Sequence, residues 1–260
     1  MDYLVISSVA VAISMLTLFS GFGLGTVLMP TFALFFPVQV AIAATAVVHL
    51  ANNIFKVVLV GRKARWDVVL RFALPGALAA ILGAMLLNVF AESAPLFAYT
   101  LGDQSREVTP IKLVIGLLII LFAILELSPR FNQLAFERRY LPLGGLLSGF
   151  FGGLSGNQGA LRSAFLIKAG LDKDEFVGTS TVSSVIVDIA RLLAYGLAFY
   201  SVSFAQVQEV SGLVIVATLA AFIGAFTGSR LLSKIKLRTI QVLISAMLFI
   251  VGAGMLTGLL

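Results

Sequence analysis

Five side chains able to carry charge interrupt otherwise apolar stretches of this chain: His49, Lys56, Arg162, Asp188 and Arg191. A Lys, Arg or Asp held at the centre of a bilayer costs about 2.5–3.5 kcal/mol on the insertion scale, so it must face a cavity, a partner or the membrane surface. Arg162 is the first of these to consider. It follows Asn157 by about a turn and a half of helix, just past the stretch Ser148-Gly149-Phe150-Phe151-Gly152-Gly153-Leu154-Ser155-Gly156-Asn157. A half-helix starting near Asn157 would direct free N–H groups and the positive end of its dipole at a small oxyanion. The Arg162 guanidinium would add a planar fork suited to the oxygens of such an anion. The expected binding residues here are Gly156, Asn157, Gln158, Arg162 and Ser163, joined by Gly23 and Gly25 from an earlier glycine stretch. The other reading of Arg162 is an interfacial residue that snorkels or pairs with a helix C-terminus.

Asp188 and Arg191 are spaced i, i+3, so on a helix they can touch and neutralise each other. Asp188 has a second possible role, because burial raises the proton affinity of a carboxylate and a neighbouring cation lowers it, which can bring it into a proton-coupled cycle. The matching segment of the first half holds His49, Asn52, Asn53 and Lys56. His49 is either a packed, hydrogen-bonded residue or a carrier of a coupled proton. Asn52 and Asn53 can bind an anion or bridge helices, and the hydroxyls of Thr179 and Ser183 carry the same two readings. Lys56 and Arg191 are read as charge-pairing residues, and Lys56, only four residues from Val60, is expected to snorkel to the interface.

These residues need elements that hold them at mid-depth. With 60% hydrophobic and 12% charged residues and a mean hydropathy of +1.07, the chain is an integral membrane protein, since soluble domains average about a quarter charged. It contains no cysteine, which excludes disulfides, thiolate metal sites and a cysteine nucleophile. The apolar start follows Asp2 rather than a basic segment, so it reads as a first membrane helix and not a cleaved signal. Single spans are predicted at 38–60, 68–90, 111–127, 176–200, 211–232 and 239–260, each long enough for a bilayer. The regions 1–36 and 140–170 are cut by Ser20-Gly21-Phe22-Gly23-Leu24-Gly25 and by the second glycine stretch. Backbone that unwinds in hydrocarbon must be received by protein or a wet cavity. Each region therefore reads as a re-entrant hairpin of half-helices, or else as two short spans.

Thirteen of the 18 Lys and Arg residues fall in four short connections, represented by Arg62, Arg138, Lys168 and Lys234. These connections are expected to be cytoplasmic. The opposite connections, 91–110 and 201–210, hold Arg106 as their one basic residue, and both termini are expected on that outer side. The predicted fold is an all-α polytopic membrane protein of 8–10 hydrophobic segments. It is one domain of two inverted repeats, each a broken hairpin plus three spans. Repeat one is 1–128, repeat two is 140–260, and 129–139 is a cytoplasmic linker. Ser20-Gly21-Phe22 aligns with Ser148-Gly149-Phe150, Asn53-Ile54-Phe55-Lys56 with Asp188-Ile189-Ala190-Arg191, and Ile111 to Ile124 with Ile240 to Ala253.

The paired glycine runs at 20–25 and 148–159, Pro30 after the first, the span starts Ala43-Ala44-Thr45-Ala46 and Gly178-Thr179-Ser180-Thr181, and the basic loop 61–65 resemble the sulfite exporter TauE/SafE family of bacterial anion permeases. The likeness covers essentially the whole chain. It implies transport of sulfite, an organosulfonate or a related small oxyanion across the bacterial inner membrane.

No His-x-x-x-His pair, Walker loop or acidic cluster with metal-ligand spacing is present, so no enzyme, metal, cofactor or direct ATP drive is expected, and no nucleic-acid partner. The expected partners are a small anion, the bilayer and protons, with monomer and homodimer both open. The leading reading is an alternating-access secondary carrier, exporting and possibly proton-coupled. A passive anion channel and a membrane scaffold or assembly factor are the alternatives.

Overall fold

The structure, a computed structural model, describes residues 2–17, 24–198, 204–231 and 237–260. Gly23 and most of the first glycine stretch lie outside them. The first half runs α1 (Asp2–Thr17), α2 (Leu24–Ala33), α3 (Val38–Val60), α4 (Trp66–Ala91), strands β1 (Phe97–Leu101) and β2 (Gln104–Val108), and α5 (Pro110–Leu127). After the short α6 (Pro129–Asn132), the second half repeats the order with α7 (Leu141–Ser155), α8 (Gly159–Leu166), α9 (Lys173–Ala198), α10 (Phe204–Leu231) and α11 (Leu237–Leu256).

Among the described residues, five stretches are long and apolar enough to cross a membrane: Val38–Lys63, Trp66–Ala91, Pro110–Leu127, Lys173–Gly196 and Val210–Gly228. They fall on five of the six predicted spans. The sixth is α11, whose 20 residues rise about 30 Å. Exposed Leu74, Leu78, Leu82, Met85 and Val89 form a stripe along α4, and Ile215, Leu219, Ile223 and Phe226 a stripe along α10. In a membrane such stripes meet lipid, whereas in water they would be aggregation surfaces. Local signals set the helix ends. Thr109 accepts from the Lys112 N–H ahead of Pro110 at the start of α5, satisfying an otherwise unpaired first-turn donor.

The region 140–170 is a re-entrant hairpin in its chain path. α7 has 15 residues and α8 has 8, about 22 and 12 Å, and neither crosses a core of about 30 Å. α8 runs back along α7: a methyl group placed on Gly144, near the start of α7, would meet the Phe165 ring at 2.2 Å, and the Phe136 N–H donates to the Ala164 carbonyl at 3.2 Å.

The second glycine stretch is mostly helical, with its break confined to the C-terminal end, next to the half-helix expected to start near Asn157. Gly145, Gly149 and Gly153, spaced one turn apart, put the backbone of α7 directly on α4. A methyl at these positions would lie 2.0 Å from the Phe72 carbonyl oxygen, 1.9 Å from that of Gly76 and 2.1 Å from that of Ala80. The break itself is only Gly156-Asn157-Gln158, where Gly156 takes φ +81° and caps α7 through its N–H to the Gly152 carbonyl. That left-handed conformation is one glycine adopts without penalty. Gly224 and Gly228 of α10 approach Val11 and Met15 of α1 in the same backbone-to-backbone manner, whereas among the described residues nothing lies within 4 Å of a methyl at Gly196.

The helices pair across the halves. α1 packs on α10, α7 on α4, α3 on α9, and α5 on α11. Exchanging the halves maps this set of pairs onto itself.

Charged connections gather at one end. Arg65 bonds Asp67 at 3.2 Å and Glu175 at 3.5 Å, and Arg138 also pairs with Asp67. Asp67 first, then Glu175, holds the Arg65 guanidinium above its ordinary pKa. Loop 61–65, the 129–140 segment and the start of α9 thus share one face. The connection 91–110 carries a β-hairpin turning at Gly102-Asp103, with Gly102 at φ +64°. Its Tyr99 hydroxyl donates to the Thr257 carbonyl and Arg106 Nη1 to that of Leu259 at 3.1 Å, which places the C-terminus beside this connection.

Candidate functional site

α3 and α9 lie against each other and each turns one polar face inward. On α3, His49, Asn52, Asn53 and Lys56 follow i, i+3, i+4, i+7, and on α9, Ser180, Ser184, Asp188, Arg191 and Tyr195 follow the same three-and-four spacing, which puts each set on one face. All nine are buried.

Asp188 joins these faces to the break. Its Oδ2 accepts from His49 Nδ1 at 2.7 Å and from Asn53 Nδ2 at 3.2 Å. Its Oδ1 accepts from Gln158 Nε2 at 2.8 Å and from Arg191 Nε at 3.0 Å, with Arg191 Nη2 at 2.7 Å. An ionised carboxylate only accepts, so the His49 proton sits on Nδ1, and Asn53 donates to Asp188 rather than to the ring. Arg191 Nη1 continues to the Gly152 carbonyl at 3.0 Å, and the Tyr195 hydroxyl donates to that of Gly153. The expected Asp188–Arg191 pair is present and extends further, since it ties α3 and α9 to the end of α7.

The two glycine stretches meet here. A methyl on Gly25 would lie 3.1 Å from the Gly156 carbonyl oxygen and 3.6 Å from His49 Cδ2. Arg162, 3% exposed, sits one turn into α8 and donates from Nε to Ser180 Oγ at 2.9 Å. Lys56 corrects the expectation of snorkelling and pairing: it is 7% exposed and makes no ion pair with a carboxylate among the described residues. Lys56, Arg162 and Arg191 are thus three buried cations on α3, α8 and α9, and Arg191 pairs with Asp188.

The remaining predicted residues divide. Asn52 is fully buried, its Oδ1 accepting from Ser14 Oγ at 3.3 Å while its Nδ2 meets no partner among the described residues, and the same holds for the buried Ser183 hydroxyl. Ser163 is half-buried on α8. Thr179 is drawn away to the charged face, where its hydroxyl accepts from the Arg65 N–H at 2.9 Å. Gly23 is outside the described residues. Tyr195 was not among the predicted site residues. Its signal was the helical spacing that puts it on the Asp188 face.

A bundle of apolar helices with a re-entrant hairpin whose break is ringed by buried charge is the architecture of a membrane transport protein. The sulfite exporter TauE/SafE family model matches residues 6–255. The chain belongs to that family and is a multi-pass membrane transporter. No curated protein and no solved structure matches it.

Proposed function

We propose that this chain is a secondary carrier for a small oxyanion, sulfite or an organosulfonate, exporting it across the bacterial inner membrane. The observation that carries the reading is that Lys56, buried on the polar face of α3, makes no ion pair with a carboxylate among the described residues, while Arg162 is buried on α8. In an apolar surround a charge such as that of Lys56 is costly unless a counter-charge arrives, and a small oxyanion held at the break would supply one. Binding would use Arg162, Gly156, Asn157, Gln158 and Ser163, with Gly25, Asn52, Asn53 and Ser183 around them. His49 and Asp188 form the group through which a proton gradient would couple.

The self-mapping helix pairs and the repeated element order support two inverted halves, repeat one 1–128 and repeat two 140–260, rocking about this point. The shared face of basic connections supports a cytoplasmic location for the linker 129–139 and periplasmic termini.

The test is flux of sulfite in proteoliposomes under imposed voltage and pH gradients. Wild type transports and responds to voltage, and Arg162→Gln, with its fold checked by thermal unfolding, loses at least about tenfold of that flux, what one buried charged hydrogen bond to the ligand supplies. Unchanged flux in a folded Arg162→Gln protein would remove the basis of the proposal. Conductance far above a carrier's turnover would make it a channel.

A further inference from the structure

Two amide side chains at the break keep hydrogen-bonding atoms that no described group meets: Asn157 through both Nδ2 and Oδ1, and Gln158 through Oε1. Both residues are deep inside, 3% and 2% exposed. The orientation of Gln158 is set, because its Nε2 donates to Asp188 Oδ1 at 2.8 Å and a carboxylate has no proton to offer in return. Its Oε1 is therefore an acceptor. Asn157 presents one donor and one acceptor whichever way its amide is turned. Close along the chain to Arg162, the break thus offers two carbonyl oxygens that meet no donor among the described residues.

A fully deprotonated oxyanion brings only acceptors. It would satisfy the guanidinium and the Asn157 NH2 group, and it would leave both carbonyls unpaired in a place where each unmet polar atom is costly. Water can donate to those carbonyls before the ligand arrives. A ligand that displaces water without replacing its hydrogen bonds binds more weakly, so the selectivity holds in either case.

We infer that the site selects a sulfonate-type ligand that carries its own hydrogen-bond donor, an O–H or N–H beside the anionic group, with Asn157 and Gln158 reading the donor. This inference rests on the oxyanion reading above and narrows its substrate class. Sites built to bond a ligand hydroxyl reject the analogue that lacks it far more strongly than apolar pockets reject an added one.

The experiment is calorimetric binding to the purified full chain of ethanesulfonate, 2-hydroxyethanesulfonate and 2-aminoethanesulfonate, with sulfite as reference. The first two have the same charge and nearly the same size. At least one donor-bearing ligand is expected to bind about tenfold or more tighter than ethanesulfonate, the effect of one buried acceptor left unmet. The hydroxy and amino arms distinguish a hydroxyl from an ammonium donor. In Asn157→Leu the preference falls toward unity, because all three ligands lose the Asn157 NH2 group but only the donor-bearing ones lose its carbonyl acceptor. The wild-type ratio decides the matter if that variant fails to fold. Equal affinity for all three ligands overturns the inference and leaves the oxyanion reading standing. Absence of binding by both donor-bearing sulfonates also overturns it, and absence of sulfite binding as well overturns the oxyanion reading with it.

Discussion

Replacing Asp188 by Asn tests whether this carboxylate organises the centre of the protein. Asp188 and Arg191 are both 0% exposed, so Asp188→Asn leaves a guanidinium in the interior without its counter-charge. Removing one member of a buried pair costs about 3–5 kcal/mol. Four donors now converge on the carboxylate, from His49, Asn53, Gln158 and Arg191. An amide offers one acceptor oxygen and turns its NH2 toward donors on the other side. The protein should therefore lose on the order of 10 °C in thermal unfolding. Asp188→Asn combined with Arg191→Gln removes the stranded charge and should recover most of that loss, because residues in direct contact are strongly non-additive. The assay is detergent-solubilised thermal denaturation of wild type, both single variants and the double variant. If Asp188→Asn unfolds within a degree or two of wild type, or the double variant is no better than the sum of its singles, Asp188 is not the tie between α3, α9 and the break.

Gly153→Ala is expected to be strongly destabilising, by about 1–3 kcal/mol or more, since the added methyl would sit 2.1 Å from the Ala80 carbonyl oxygen. Gly196→Ala, with nothing within 4 Å, should be neutral or stabilising by up to about 1 kcal/mol; thermal unfolding of the pair checks the contrast. Gly156→Ala meets Arg191 Nη1 only at an ordinary 3.6 Å, so its cost of about 1–2 kcal/mol comes from φ +81°. It should lower transport by shifting the break, and Gly156→Asn, which tolerates that conformation better, should keep more of it.

Much of the fold was legible because membrane spans are written in length and apolarity. The predicted 38–60 is α3, and the ends of α4 and α5 lie within two residues of those predicted. Glycine was harder to read, because it serves two opposed purposes in a membrane: it permits unwinding, and it lets intact helices touch. Ser148 to Ser155 belongs to the second use and Gly156 to the first, and the sequence distinguishes them only by the regular four-residue spacing of Gly145, Gly149 and Gly153. Lys56 was misread for a related reason. Its distance from Val60 along the chain said that its stem could reach the interface, but not that α3 turns the residue toward Arg162. Thr179 sits in a run of hydroxyls that looks uniform in sequence, and only the approach of loop 61–65 to α9 separates it from Ser183.

The polarity of the break follows from how its two helix ends are treated. α7 ends and α8 begins within three residues of each other, so a partial negative and a partial positive end lie side by side. The negative end is answered by the protein itself: Arg191 bonds the Gly152 carbonyl, which also accepts the Gly156 N–H, and Tyr195 bonds that of Gly153, one of the last carbonyls of α7, which helix geometry leaves short of partners. Arg191 in turn is neutralised by Asp188. At the positive end, the start of α8, Arg162 lies on the first turn. Arg191 is committed to the end of α7 and to Asp188, so in the proposed carrier the N-terminus of α8 and Arg162 are the positive groups that would face an anion at the break.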